Sequence, residues 1–80
     1  MKLTEAQLRQ DIFDRADTYH PWLLMNICDM PIECFVNKTK QDIWKLIDES
    51  CGYDYFFEQI CIGECWEMRD DGCFEQVMYR

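Results

Sequence analysis

Eighty residues carry sixteen carboxylates against eight Lys and Arg, a formal net charge of −8, with a single histidine. That balance repels phosphate, which excludes direct nucleic-acid binding and argues against anionic membranes, and no apolar run reaches the roughly 18 residues a membrane span needs. Twelve aromatics and five methionines supply enough apolar area for one folded domain over residues 1–80 and exclude a disordered acidic tail.

Thr4-Glu5-Ala6-Gln7 has the capping-box pattern. Leu8, Ile12 and Ala16 follow at intervals of four, with Phe13 beside them, and predict a first helix over about Glu5 to Asp17. His20-Pro21 opens the next segment, since proline suits a first helical turn. Trp22 to Cys28 is apolar nearly all round, which predicts a short buried helix stopped by Pro31. Ile32 to Val36 fits either a short strand or a helical continuation. Thr39-Lys40-Gln41-Asp42 repeats the cap pattern, and Ile43, Trp44, Leu46 and Ile47 give a buried stripe. They predict a helix over about Lys40 to Ser50, stopped at Gly52.

After Gly52 the apolar period shortens from about 3.6 to about 2. Cys65 to Arg69 and Cys73 to Tyr79 flank Asp70-Asp71-Gly72, and Asp-Gly between two alternating runs signals a hairpin. Tyr55 to Ile62, ending at Gly63, is the expected first strand of a meander; the alternative is that this run is helical. Phe57-Glu58-Gln59-Ile60 and Phe74-Glu75-Gln76-Val77 are near copies, as strands of one meander would be. The expected fold is α+β: two or three N-terminal helices followed by a three-stranded antiparallel β-sheet. Alternation puts Trp66 and Met68 on one face, joined by Ile60, Ile62, Val77 and Tyr79. Phe57, Phe74, Cys61, Cys65 and Met78 fall on the other, either as an exposed apolar patch or under a further layer of helices.

The six cysteines are Cys28, Cys34, Cys51, Cys61, Cys65 and Cys73. Met1 to Glu5 shows no signal-peptide pattern, so free thiols in a reducing cytoplasm are expected. Cys61 and Cys65, with three residues between them, are the pair expected to oxidise first. With Cys73 and one more ligand they offer a second reading, a small zinc module; the two-residue knuckle spacing is absent, and no cofactor is expected. Asp70-Asp71-Gly72 lacks the ligand periodicity of a calcium loop. A cysteine nucleophile would need a base, and His20, just before a proline at a helix start, reads as a cap. Phosphate loops and nucleophile elbows are missing, and so small a domain leaves little room for a ligand-sized pocket. An enzyme is not expected.

Charge carries the leading expectation. Asp48 to Arg80 hold nine carboxylates and two arginines, a net of −7, against seven acids and six bases, a net of −1, over Met1 to Ile47. Residues on one strand face stand about 7 Å apart, comparable to phosphates along a nucleic acid. The expected partner is therefore a protein with a basic surface or groove. Glu64, Glu67, Asp70, Asp71 and Glu75 would supply charge, and Trp66, Phe57 and Phe74 apolar anchors. The most concrete form is a small inhibitor that blocks a nucleic-acid-binding groove, as phage proteins that disable CRISPR or restriction complexes do. That likeness is one of type, and no motif assigns a family. A third reading is a structural subunit that forms a homodimer through the apolar strand face.

Overall fold

Thr4 ends the first strand, β1 (Lys2–Thr4), and caps the first helix, α1 (Glu5–Asp14). Its Oγ1 accepts from the Gln7 backbone N–H at 3.1 Å, and Gln7 Oε1 accepts from the Thr4 N–H at 3.0 Å. Both halves of the predicted capping box are present. The helix stops three residues early: Arg15 takes φ −98° and ψ 6°, and a 3₁₀ turn carries the chain over Ala16–Thr18. At the start of α2 (Pro21–Cys28), His20 Nδ1 accepts from the Trp22 N–H at 3.1 Å, so the lone histidine is a cap. Asp29 ends α2 in the left-handed region. Ile32–Phe35 is a 3₁₀ turn, and α3 (Lys40–Ser50) has the predicted bounds.

The computed structural model describes residues 2–77, and they form an α+β fold of four helices and a three-stranded antiparallel sheet. Tyr55 to Ile62 is no strand but part of the fourth helix, α4 (Tyr53–Gly63). Its buried residues are Phe56, Phe57, Ile60 and Cys61, a stripe on one helical face. Aromatic and β-branched residues favour strands only where packing allows. The near copies therefore split: Phe57–Ile60 is helical, whereas Phe74–Gln76 is extended.

The third strand is β1, from the other end of the chain. Sheet order is β1-β3-β2, with β2 (Trp66–Met68) and β3 (Cys73–Gln76) as the hairpin. Register sets Trp66 opposite Gln76, Met68 opposite Phe74 and Leu3 opposite Phe74. Cross-strand partners share a face, so Phe74 lies on the same side as Trp66, not on the opposite one as alternation alone suggested. That side packs on the helices, and the other carries Lys2, Glu67, Cys73 and Glu75. The expected strand residues Met78 and Tyr79 lie outside the described residues.

Leu8 and Ile12 of α1, Leu24 of α2, Ile47 of α3 and Phe56 and Ile60 of α4 are almost fully enclosed, and Trp66 and Phe74 close the core from the sheet. No described helix is long and apolar enough to cross a membrane.

Candidate interaction surface

The hairpin tip follows from local chemistry. The Gly72 N–H donates to the Arg69 carbonyl at 2.9 Å, and the Arg69 N–H donates to the Cys73 carbonyl at 2.7 Å. Gly72 sits at φ +82°, where a side chain would be strained. Asp71 Oδ1 accepts from the Cys73 N–H at 3.0 Å, an aspartate turn. On the outer sheet face Glu67 stands directly opposite Glu75, which alone would repel. Arg69 resolves this by donating from Nε to Glu75 at 3.0 Å and from Nη1 to Glu67 at 3.5 Å. Lys2 Nζ lies 2.7 Å from Asp71 Oδ2. That hydrogen bond holds the Asp71 carboxyl below its usual range and raises the Lys2 ammonium.

A shallow cleft of about 460 Å³ is lined by Lys2, Met68, Arg69, Asp70, Asp71 and Glu75. Glu67, Asp70, Asp71 and Glu75 set four negative charges against Lys2 and Arg69, a local net of −2. Of these acids Asp70 alone makes no ion pair among the described residues. Met68 is 64% exposed and is the apolar residue of the cleft.

The other expected site residues have different positions. Glu64 lies between α4 and β2, in a fork with Arg15: Nη1 to Oε2 is 2.8 Å and Nη2 to Oε1 is 3.0 Å. Trp66 Nε1 donates to Glu64 Oε1 at 3.1 Å. Burial alone would raise the Glu64 carboxyl, but the bonds from Arg15 and Trp66 outweigh it and hold it below the usual range. Glu64 thus ties α1 to the start of the hairpin. Trp66, Phe57 and Phe74, expected as exposed anchors, are core residues. The register explains Trp66 and Phe74, and the helical stripe of α4 explains Phe57. The Phe57 and Phe74 rings meet edge to face at 5.7 Å, and the Arg9 guanidinium covers Phe57 at 4.2 Å.

Sequence reasoning missed a second concavity, a groove of about 280 Å³ lined by Arg9, Ile12, Phe13, Trp44, Tyr53 and Phe57. Phe13 stacks on Trp44 at 5.1 Å, and Tyr53 meets Trp44 edge-on at 5.3 Å. Trp44 Nε1 donates to the Phe13 carbonyl at 3.1 Å. Arg9 at the rim is bound by Glu5 and Asp54, each at 3.1 Å. The sequence places Phe13 beside its stripe and Trp44 within the buried one; in the fold Phe13 is exposed and Trp44 half-buried, each next to a core isoleucine, so both wall a groove instead of filling the core.

Cys61 is buried in α4, whereas Cys73 stands on the outer sheet face. No group of three or more metal-holding side chains occurs among the described residues, so Cys61, Cys65 and Cys73 do not form the zinc cluster considered above.

These residues define a class: an α+β domain that turns one sheet face to its helices and carries an acid-rich hairpin on the other. No protein-family model, no curated protein and no solved structure matches the chain.

Proposed function

We propose that the chain is a non-enzymatic, cytoplasmic protein-binding protein that docks its acid-rich hairpin on a basic surface of a partner protein. Glu67, Asp70, Asp71 and Glu75 supply the charge and Met68 the apolar contact. One observation supports this above the rest: Asp70, Asp71 and Glu75 line one cleft with an exposed methionine, Glu67 stands beside Glu75, and only Arg69 of the hairpin and Lys2 of β1 are set against these four carboxylates. Ion pairs between exposed side chains are weak, so incoming arginines can take over the carboxylates from Lys2 and Arg69 through two-point contacts. Trp66, Phe57, Phe74 and Glu64 brace the hairpin from beneath. The most concrete form is an inhibitor whose carboxylates occupy a groove built for phosphates, as anti-CRISPR and other phage anti-defence proteins do.

The test is capture from lysate by the tagged protein, with retained proteins identified by mass spectrometry. Glu67→Lys with Asp70→Lys should abolish capture of a basic partner without lowering the melting temperature, and raised salt should weaken it. Capture that survives both the reversal and the salt would overturn the assignment.

A further inference from the structure

Cys28 is the last residue of α2, and Cys51 caps the C-terminus of α3. Their sulfurs lie 3.8 Å apart. No other pair of cysteine sulfurs makes such a contact among the described residues. We propose that Cys28 and Cys51 form a reversible disulfide, a redox-responsive clamp joining the C-terminal ends of α2 and α3.

The geometry asks for little. A disulfide bond is about 2.05 Å long, so starting from 3.8 Å the sulfurs must close by about 1.8 Å. Both residues sit at helix ends, next to Asp29 at φ 56° and Gly52 at φ +86°, where the backbone turns out of the helical conformation. Closure requires side-chain rotation and a small adjustment of the two helix ends. Cys28 is buried and Cys51 half-buried, which sets the order of events. Cys51 is the sulfur an oxidant reaches first. Burial pushes the Cys28 thiol up to about 11, so it stays protonated until a bonded neighbour draws it in.

The oxidant class is a small-molecule disulfide such as oxidised glutathione. The Cys51 thiolate attacks one of its sulfurs; the oxidant's S–S bond breaks, a mixed disulfide forms and one thiolate leaves. Cys28, deprotonated as it attacks, then displaces the second thiolate from Cys51. Two protein S–H bonds are lost and one S–S bond is gained. The oxidant takes up both electrons and, with the two protons, leaves as two thiols.

The experiment equilibrates the reduced full chain against graded ratios of oxidised to reduced glutathione. Free thiols are then alkylated, and the bridge is mapped by peptide mass spectrometry. A Cys28–Cys51 peptide should dominate, with Cys34, Cys61, Cys65 and Cys73 alkylated. It should appear in the native protein at an oxidant ratio at least about tenfold lower than in the urea-unfolded chain, because folding holds the sulfurs together. Cys51→Ser, at the less buried position, should leave the native chain without a bridge over the same range. A bridge between Cys61 and Cys65, mixed disulfides alone, or equal ratios for native and unfolded chains would each overturn the proposal. The wild-type map decides the matter even if the variant fails to fold.

Discussion

Replacing Arg15 with methionine removes the fork that joins α1 to Glu64 while keeping the apolar stem. The side chains of the pair are 34% and 25% exposed. Fully exposed pairs contribute about 0–1 kcal/mol, and breaking a buried one costs about 3–5. This pair lies between those limits, so Arg15→Met should cost about 2 kcal/mol, since Glu64 loses both guanidinium donors. A urea m-value near 1 kcal/mol/M, at the low end for small domains, turns that into a midpoint about 2 M lower. A double-mutant cycle with Glu64→Gln isolates the pair, with an expected coupling of about 1–2 kcal/mol. Coupling below about 0.3 kcal/mol would refute the reasoning, because the fork would then behave as a solvent-exposed pair. The acid limb gives a second reading. Glu64 titrates below its usual range in the fold, so its contribution is present above the unfolded value of about 4.3 and is lost as pH falls through the lower folded value. Arg15→Met should make that limb shallower. Glu64→Gln should also leave capture per folded molecule unchanged, which separates the brace from the docking acids.

Alkaline stability should fall as well. Burial raises the Cys28 and Cys61 thiols to about 11. Groups with raised folded values contribute fully below the unfolded thiol value of about 8.5 and lose that contribution as pH rises. Urea midpoints should therefore drop between about pH 8.5 and 11, and Cys61→Ala should reduce the slope; a flat profile would contradict the burial of both thiols. Gly72→Ala forces a side chain into φ +82° with open space around it. Backbone strain alone then applies, about 1 kcal/mol or roughly 4–8 °C in melting temperature for a domain this size. An unchanged melting temperature would mean the turn does not need the left-handed residue.

How far the chain could be read depended on how local each decision was. α3 was legible because Thr39, the Ile43–Ile47 spacing and Gly52 lie within fourteen residues and agree. In α4, Tyr55 to Ile62 carries residues that suit strands, and the helical choice is made by a core contributed by α1 and α3. β1 is three residues long and exists because β3, some seventy residues away, offers it an edge. No local pattern announces such a strand. The acidic turn was legible because Asp70-Asp71-Gly72 encodes its own hydrogen bonds. The burial of Trp66 and Phe74 was not, because shifting a strand register by one residue exchanges its faces, and the register is set by hairpin geometry and the helices beneath; Phe57 was misplaced with α4. The Cys28–Cys51 approach was hidden for the same reason: the residues are 23 apart and meet only when α2 and α3 end side by side.

Charge shows the same gap between sequence and space. Lys2, Arg9 and Arg15 come from the first fifteen residues, yet they pair with Asp71, Asp54 and Glu64 from the acidic tail. These three bases reduce the tail's excess of −7 to −4. Part of the imbalance returns to the N-terminal half, where Asp17, Asp29, Glu33 and Asp42 have no ion pair among the described residues. Under the proposed function, long-range attraction for a basic partner would be a property of the whole anionic body, and short-range recognition would belong to the hairpin. The two separate kinetically: a diffuse field sets the association rate and fades with salt, and close contacts set dissociation. Reversing Asp48 on α3 should slow association about as much as reversing Asp70 does. Only Asp70→Lys should also speed dissociation. If both reversals leave the dissociation rate alike, the hairpin is not where the partner sits.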